Sequence, residues 1–133
     1  MPDAILAMVR DAVPPDVTVY DGQVPEQPPD RYVVLYMDNG TRRAEGVEHQ
    51  STGRLFRWQV TTVAPDRGMA GWLAEAVADA LTDQRPDVPG WSPGLIEHTH
   101  SRTPRADEQV LARTVVVAFD LYQLLAEKLP AAV

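Results

Sequence analysis

The run FRWQVTTVAPDRGMAGWLAEAVADAL, residues 56–81, changes its hydrophobic period halfway along. Its first half alternates between the two sides of an extended chain, as a β-strand does. Its second half repeats apolar residues at intervals of three and four, which is the pattern of an amphipathic helix. Between them lies a turn with Pro65, Asp66 and Gly68. The run therefore predicts a strand that leads directly into a helix.

The predicted strand has two unequal faces, and the one that carries Phe56, Trp58, Val60 and Thr62 is the better candidate for the core. Asp66 stands where the N-cap of the following helix is expected, because a carboxylate there accepts a hydrogen bond from the first free backbone N–H groups. We predict that this helix buries one apolar stripe. The stripe consists of Met69, Trp72, Leu73, Ala76, Val77, Ala80 and Leu81.

The rest of the chain supplies further strands and two short helices. We predict a helix capped by Asp3 that runs to about Val13, and a last helix over 123–129 that ends before Pro130. Between them we predict strands over 17–22, 31–37, 95–101 and 113–122, with a polar turn at 102–109. The run at 31–37 is almost wholly β-branched or aromatic, which indicates a strand covered on both faces. This order favours an α+β fold with a mostly antiparallel sheet and helices packed on one face, in a single domain over residues 1–133.

Composition excludes several classes of protein. The chain has no cysteine, so disulfides, thiolate nucleophiles and cysteine-ligated zinc are ruled out. The net charge of −7 argues against a module that binds duplex DNA, because phosphate binding depends mainly on Lys and Arg. No apolar run approaches the ~20 residues that a membrane-spanning helix needs. Asp3 stands where a signal peptide carries positive charge, so we expect an unexported protein without a membrane partner.

The sequence carries no recognisable catalytic motif. The turn before the second helix lacks the glycine pattern of a dinucleotide site and that of a P-loop, and Asp66 itself occupies the helix N-terminus where an anion would bind. No serine lies in a G-x-S-x-G setting. Asp120 belongs to a mixed strand face and is expected to point outward. We therefore predict no catalytic residue and no cofactor.

Two histidines leave one enzymatic alternative open. His98 and His100 are two residues apart on a predicted strand, so their rings would lie on one face and could share a metal ion. His49 or a carboxylate would then supply a third ligand. The other interpretation is a polar, solvent-facing sheet surface, which we favour because spacing places only two ligands where zinc needs three or four.

Four arginines surround the polar segment 38–53, which is either a flexible loop or an extended β-hairpin. They are Arg42, Arg43, Arg54 and Arg57. One interpretation is a contact surface for a partner or for nucleic acid, since long loops on compact domains often carry function. The other is a solvated loop that Glu45 and Glu48 partly balance. We predict a partner contact.

The order of these elements, with the phrases RYVVLYM, FRWQVTTVAPDRGMAGWLAEAVADAL and VVVAFDLY, resembles the tail terminator (minor tail, tail-completion) proteins of long-tailed bacteriophages. The resemblance extends from about Met1 to Leu125. Its most specific part is the strand, short turn and R-x-x-A helix, in which Arg67 and Ala70 match the pattern. By this resemblance, the turn at Asp66 is a hinge of the scaffold.

The resemblance implies a structural virion protein without catalytic residues. Its copies would form a hexameric ring on the head-proximal end of the tail tube, which ends tube polymerisation and joins the tail to the head. The implied partners are further copies of the chain, the tail tube protein and the head–neck connector proteins, with DNA only as passing cargo. Assembly would take place in the cytoplasm of the bacterial host. A head-completion or neck connector protein of the same particle is the alternative, because such rings can share this fold.

Overall fold

The computed structural model describes residues 1–38, 40–42, 53–107 and 115–129. These residues form two helices and seven strands, in the order α1 (Pro2–Ala12), β1 (Thr18–Asp21), β2 (Tyr32–Met37), β3 (Thr41–Arg42), β4 (Gly53–Ala64), α2 (Arg67–Leu81), β5 (Trp91–Pro93), β6 (Glu97–Asp107) and β7 (Val115–Lys128). Neither described helix is long and apolar enough to span a membrane.

All seven strands belong to one sheet. Its main path is β1-β2-β4-β7-β5, with β3 beside β4 and β6 beside β7. Only β1 and β2 run parallel, and each of the other described pairs is antiparallel. The long central pair of β4 and β7 aligns twelve residues of each strand, from Gly53 with Glu127 to Ala64 with Val116. The predicted α+β fold with a mostly antiparallel sheet is confirmed.

Both described helices pack on the same face of the sheet, which we call the helix face. It carries the predicted core residues Phe56, Trp58, Val60 and Thr62, all of which are buried. The first three of them join Leu73 and Val77 of α2 in one apolar cluster that also includes residues of α1. Burial of each large apolar side chain stabilises the fold by roughly 1.5–3 kcal/mol. The prediction that helices cover one face of the sheet is therefore confirmed.

The opposite face, on which no described helix packs, we call the open face. One end of it is closed by a second apolar cluster of Tyr32, Val34, Val63 and Val115, against which Val24 of the proline-rich connector packs. This explains why four consecutive residues of β2, Tyr32–Leu35, are all buried. The prediction of a strand covered on both faces is confirmed.

The two helices differ from their predictions in detail. In α1 the N-cap is Met1 and makes no side-chain cap bond, so the prediction that Asp3 caps this helix is wrong. Asp3 lies in the first turn, where its negative charge interacts favourably with the positive end of the helix dipole. In α2 the predicted cap is confirmed, since the backbone N–H of Met69 donates to Asp66 Oδ1 at 2.7 Å.

Trp72 was predicted in the buried stripe of α2, and this is wrong because its side chain is 53% exposed. The buried positions of α2 are Ala70, Leu73, Val77 and Leu81. Successive residues of a helix are about 100° apart, so Trp72 lies well to one side of a stripe that contains Leu73.

The predicted C-terminal helix over 123–129 is also wrong, because β7 continues as a strand to Lys128. Side chains there alternate, with Leu124 and Ala126 buried and Leu125 exposed. QLLAEK has good helix propensity, but the pairing of Gly53–Phe56 with Leu124–Glu127 overrides that weak preference.

The neighbouring strands were also underestimated. β6 extends to Asp107, so the polar turn predicted at 102–109 is wrong as far as the structure describes it. The register of its pairing with β7 shifts between Arg102 and Arg105, an interval that contains Pro104. Proline is tolerated at such a bulge because the residue there does not have to donate a hydrogen bond to the neighbouring strand. At segment 38–53, β3 pairs with Arg54 and Leu55, as the base of a hairpin would, and residues 43–52 lie outside the described part.

Candidate interaction surface

The open face carries a groove of about 570 Å³ at the end that Val24 leaves uncovered. Tyr36, Gln59 and Leu121 lie in one cross-strand row of its lining, because the registers of β2, β4 and β7 align these residues. Arg57 and Thr99 complete its edges. Tyr36 is 43% exposed although it is a large aromatic residue. The groove therefore offers an apolar surface with a cation beside it.

Asp38 holds the strand ends beside this groove in place. Its Oδ1 accepts hydrogen bonds from the backbone N–H of Gly40 at 3.0 Å and of Arg57 at 3.2 Å. Gly40 has φ +86°, and a Cβ there would lie 2.7 Å from Phe56 Cε1, so a larger residue does not fit. This turn fixes where β3 starts and where Arg57 stands.

A second groove of about 490 Å³ lies further along the open face. Leu55, Leu95 and Leu125 line it, and the last two are among the exposed large apolar residues. Gln123 Nε2 donates to Glu97 Oε2 at 2.7 Å at its edge. The open face thus presents apolar side chains at two places, which is typical of a surface that contacts another protein.

The four predicted contact arginines do not form one patch. Arg57 lines the open-face groove, whereas the guanidinium of Arg54 lies over the Trp91 ring at 5.7 Å on the helix face. Arg42 is paired with Arg54 in the β3–β4 register. Arg43 lies outside the described residues. Alternation along β4 separates Arg54 from Arg57, and their role in partner contact stays a prediction.

Asp120 was expected to point outward, and this is wrong, since it is 3% exposed on the helix face. Its Oδ1 lies 2.9 Å from His98 Nε2. The His98 ring stacks on Tyr122 at 4.6 Å, and Tyr122 stacks on Trp58 at 5.9 Å, which makes a row of three rings across β6, β7 and β4. Burial, then the charges of Asp120 and Asp79, raises the pKa of Tyr122 well above its usual range. The pair of Asp120 and His98 is therefore part of the packing of the core.

The geometry assumed for a two-histidine metal site is wrong. A register shift between His98 and His100 pairs His98 with Tyr122 but His100 with Leu121, whose side chains leave opposite faces of β7. No group of three or more His, Asp or Glu suited to a metal occurs in the part of the chain that the structure describes. His49 lies outside that part.

The exposed side of α2 was missed by the sequence reasoning. Trp72, Glu75 and Asp79 are all exposed and follow one another at intervals of three and four residues, so they form one line along the helix. We call this line the α2 stripe. A signal was present, because an aromatic residue spaced like this from two acids shares their side of a helix. Assigning Trp72 to the core by hydrophobicity alone hid it.

Comparisons with known proteins agree with this architecture. The family model Tail completion protein gp17 matches residues 3–122. A solved structure described as "Virion of native gene transfer agent (GTA) particle" is 17% identical, with a TM-score of 0.65 over 92% of this chain and 84% of that chain. Another solved structure is 14% identical, with a TM-score of 0.56 over 97% of this chain and 92% of that one.

At such identities these structures show a shared fold, and a search of curated proteins found no match. The family model covers most of the chain, which confirms the resemblance found in the sequence and the expected place in a virion. The chain therefore belongs to the Tail completion protein gp17 family, and it is a structural protein of a virion tail.

Proposed function

We propose that copies of this chain form a hexameric ring on the head-proximal end of the tail tube, where the ring ends tube polymerisation and provides the surface that joins the tail to the head. The match to a tail completion family over residues 3–122 carries this proposal. The fold shared with a chain from a gene transfer agent virion supports it. The work is done by shape and association, without a reacting centre.

The structure supports a ring because the subunit offers two different surfaces. A head-to-tail ring needs one surface on each subunit that fits a different surface on the next. The open-face groove at Tyr36 and Leu121 and the α2 stripe at Trp72 lie on opposite sides of the sheet. A subunit with such opposed surfaces has a contact site toward each of two neighbours.

The shape of such a ring would also end the polymerisation of the tail tube. A ring that fits the last layer of tube subunits but presents a different surface outward leaves no site for another tube subunit. The outward surface then contacts the head–neck connector proteins. DNA crosses the ring only as cargo, since a chain with a net charge of −7 has little general attraction for phosphates. Arg42, Arg43, Arg54 and Arg57 are the proposed partner contacts at the base of segment 38–53.

The test is to add the purified chain to the tail tube protein of the same particle while tubes are growing. We expect native mass spectrometry to show a six-copy ring, and electron microscopy to show shorter tubes with a distinct layer at one end. Tubes grown without the chain are the control. A chain that stays monomeric beside the tube protein and leaves tube lengths unchanged would overturn the proposal. A ring that binds the head connector but not the tube would identify a neck protein instead.

A further inference from the structure

The α2 stripe is an unusual surface for a single subunit. Trp72 exposes more than half of its side chain on a helix whose opposite side is fully buried. Glu75 and Asp79 are exposed along the same line, and neither forms an ion pair with any described residue. Tryptophan, like tyrosine and arginine, is enriched among the residues that dominate binding energy at protein interfaces. The stripe therefore has the composition of an anchor flanked by negative charge.

The open-face groove has the complementary composition. Tyr36 and Leu121 give it an apolar lining, and its volume of about 570 Å³ lies within the range that holds a small ligand, so one indole ring fits. Arg57 is exposed at its edge. Its guanidinium has no ion-pair partner in residues 1–38, 40–42, 53–107 and 115–129. The groove can accept an aromatic ring and, next to it, a carboxylate.

The spacings of the two surfaces also agree. Glu75 and Asp79 stand about 4.5 and 10.5 Å along the helix axis from Trp72, because each helical residue rises about 1.5 Å. Arg57 stands about 7 Å along β4 from Gln59 in the groove lining, because two strand residues span about that length. When α2 of one copy lies along β4 of another, an indole ring seated over Gln59 therefore places Arg57 between the two carboxylates, within reach of both.

One copy cannot join these surfaces, because the α2 stripe lies on the helix face and the groove lies on the open face of the same sheet. We propose that Trp72 of one copy inserts into the open-face groove of the next copy, and that Arg57 of the second copy pairs with Glu75 and Asp79 of the first. The contact is head to tail, so repeated contacts close into a ring or extend as a filament. This inference rests on the proposed function, for which it names the contact between ring subunits.

The first experiment compares four full-length variants with the unaltered chain by native mass spectrometry and sedimentation. We expect Trp72→Ala to weaken association at least tenfold while its circular dichroism spectrum and thermal midpoint stay unchanged. Leu129→Ala, which removes another exposed apolar side chain outside both surfaces, should assemble normally. Arg57→Glu should weaken association, and adding Glu75→Arg and Asp79→Arg to the same chain should restore most of it.

The second experiment mixes two defective chains. Trp72→Ala keeps an intact groove but a defective stripe, and Arg57→Glu keeps an intact stripe but a defective groove. At a concentration at which the unaltered chain forms rings, neither variant should form them alone. Mixed in equal amounts, with one chain isotopically labelled, they should give one-to-one heterodimers and nothing larger, because each contributes one working surface.

The results separate the two ideas. Rings that form equally well from Trp72→Ala would overturn this inference and leave the proposed ring intact. Mixed chains that stay monomeric, or that form larger assemblies, would also overturn the inference. A chain without substitutions that stays monomeric even with tube protein would overturn both ideas.

Discussion

The helix face and the open face of the sheet use similar residues for different ends. On the helix face, Trp58 and Tyr122 are buried under two helices and stack on one another. On the open face, Leu125 is exposed, although it lies on β7, the strand that also carries Tyr122. Tyr36 is exposed too, and it lies on β2, the neighbour of β4. The difference does not lie in hydrophobicity. It lies in which side of the strand the chain itself covers.

This difference assigns separate roles to the two faces. The helix face supplies most of the apolar burial that stabilises the subunit, so its substitutions should act on folding. The uncovered part of the open face and the α2 stripe add little to folding, so their substitutions should act on association. Substitutions on the two faces therefore test how cleanly the two roles separate.

The sharpest contrast lies between two adjacent residues of α2. Leu73 is fully buried, so Leu73→Ala should lower the free energy of unfolding by about 2–5 kcal/mol through lost burial and a residual cavity. Trp72→Ala should change it by less than about 0.5 kcal/mol, because the side chain is exposed. Urea unfolding of both variants measures the difference. Equal losses would show that the α2 stripe is part of the core.

A second contrast concerns the two histidines of β6. His98→Ala should cost about 2–3 kcal/mol of stability, because it leaves the buried carboxylate of Asp120 without its partner and removes a stacked ring. His100 is exposed, so His100→Ala should cost less than about 0.5 kcal/mol. Thermal and urea unfolding at pH 7 provide the comparison. Similar values for both would mean that the pair with Asp120 contributes nothing to the helix face.

A smaller effect is expected at the junction between sheet and helix. Asp66→Ala should lower stability by about 1 kcal/mol, because the backbone N–H of Met69 loses its acceptor. Asp79→Ala removes an exposed carboxylate from the same helix and should stay within about 0.5 kcal/mol. If the two variants unfold at the same urea concentration, the cap does not help to hold α2 on the helix face.

The smallest effect is a dependence on pH. The raised pKa of Tyr122 means that the folded chain keeps the phenol proton where the unfolded chain releases it. The stability that depends on the protonated Tyr122 phenol is therefore fully present below pH about 10, and it is lost as the pH rises above that value. Tyr122→Phe should be nearly neutral at pH 7, since the hydroxyl has no hydrogen-bond partner among the described residues. Unfolding at pH about 8 and about 10.5 should show a steeper fall for the original chain, and parallel falls would contradict this.

Local pattern was enough for the strand at 54–64, its two faces and the Asp66 cap, because strand alternation and capping act between residues close in sequence. It failed where distant pairing decided the outcome. QLLAEK prefers a helix locally, but its residues complete the ladder with the start of β4. The bulge that turns His100 away from His98 likewise depends on the partner strand β7.

The sequence by itself determined the class of fold and the absence of cysteine chemistry, since these rest on short-range periodicity and on composition. The likeness to tail completion proteins was also visible in the sequence, in the order of the elements and in short phrases such as RYVVLYM and VVVAFDLY. Only the tertiary structure decided that Trp72 is exposed and that Asp120 is buried beside His98. The physical reason is that burial depends on which segments pack over a residue. That packing is set by contacts between parts of the chain that lie far apart in sequence.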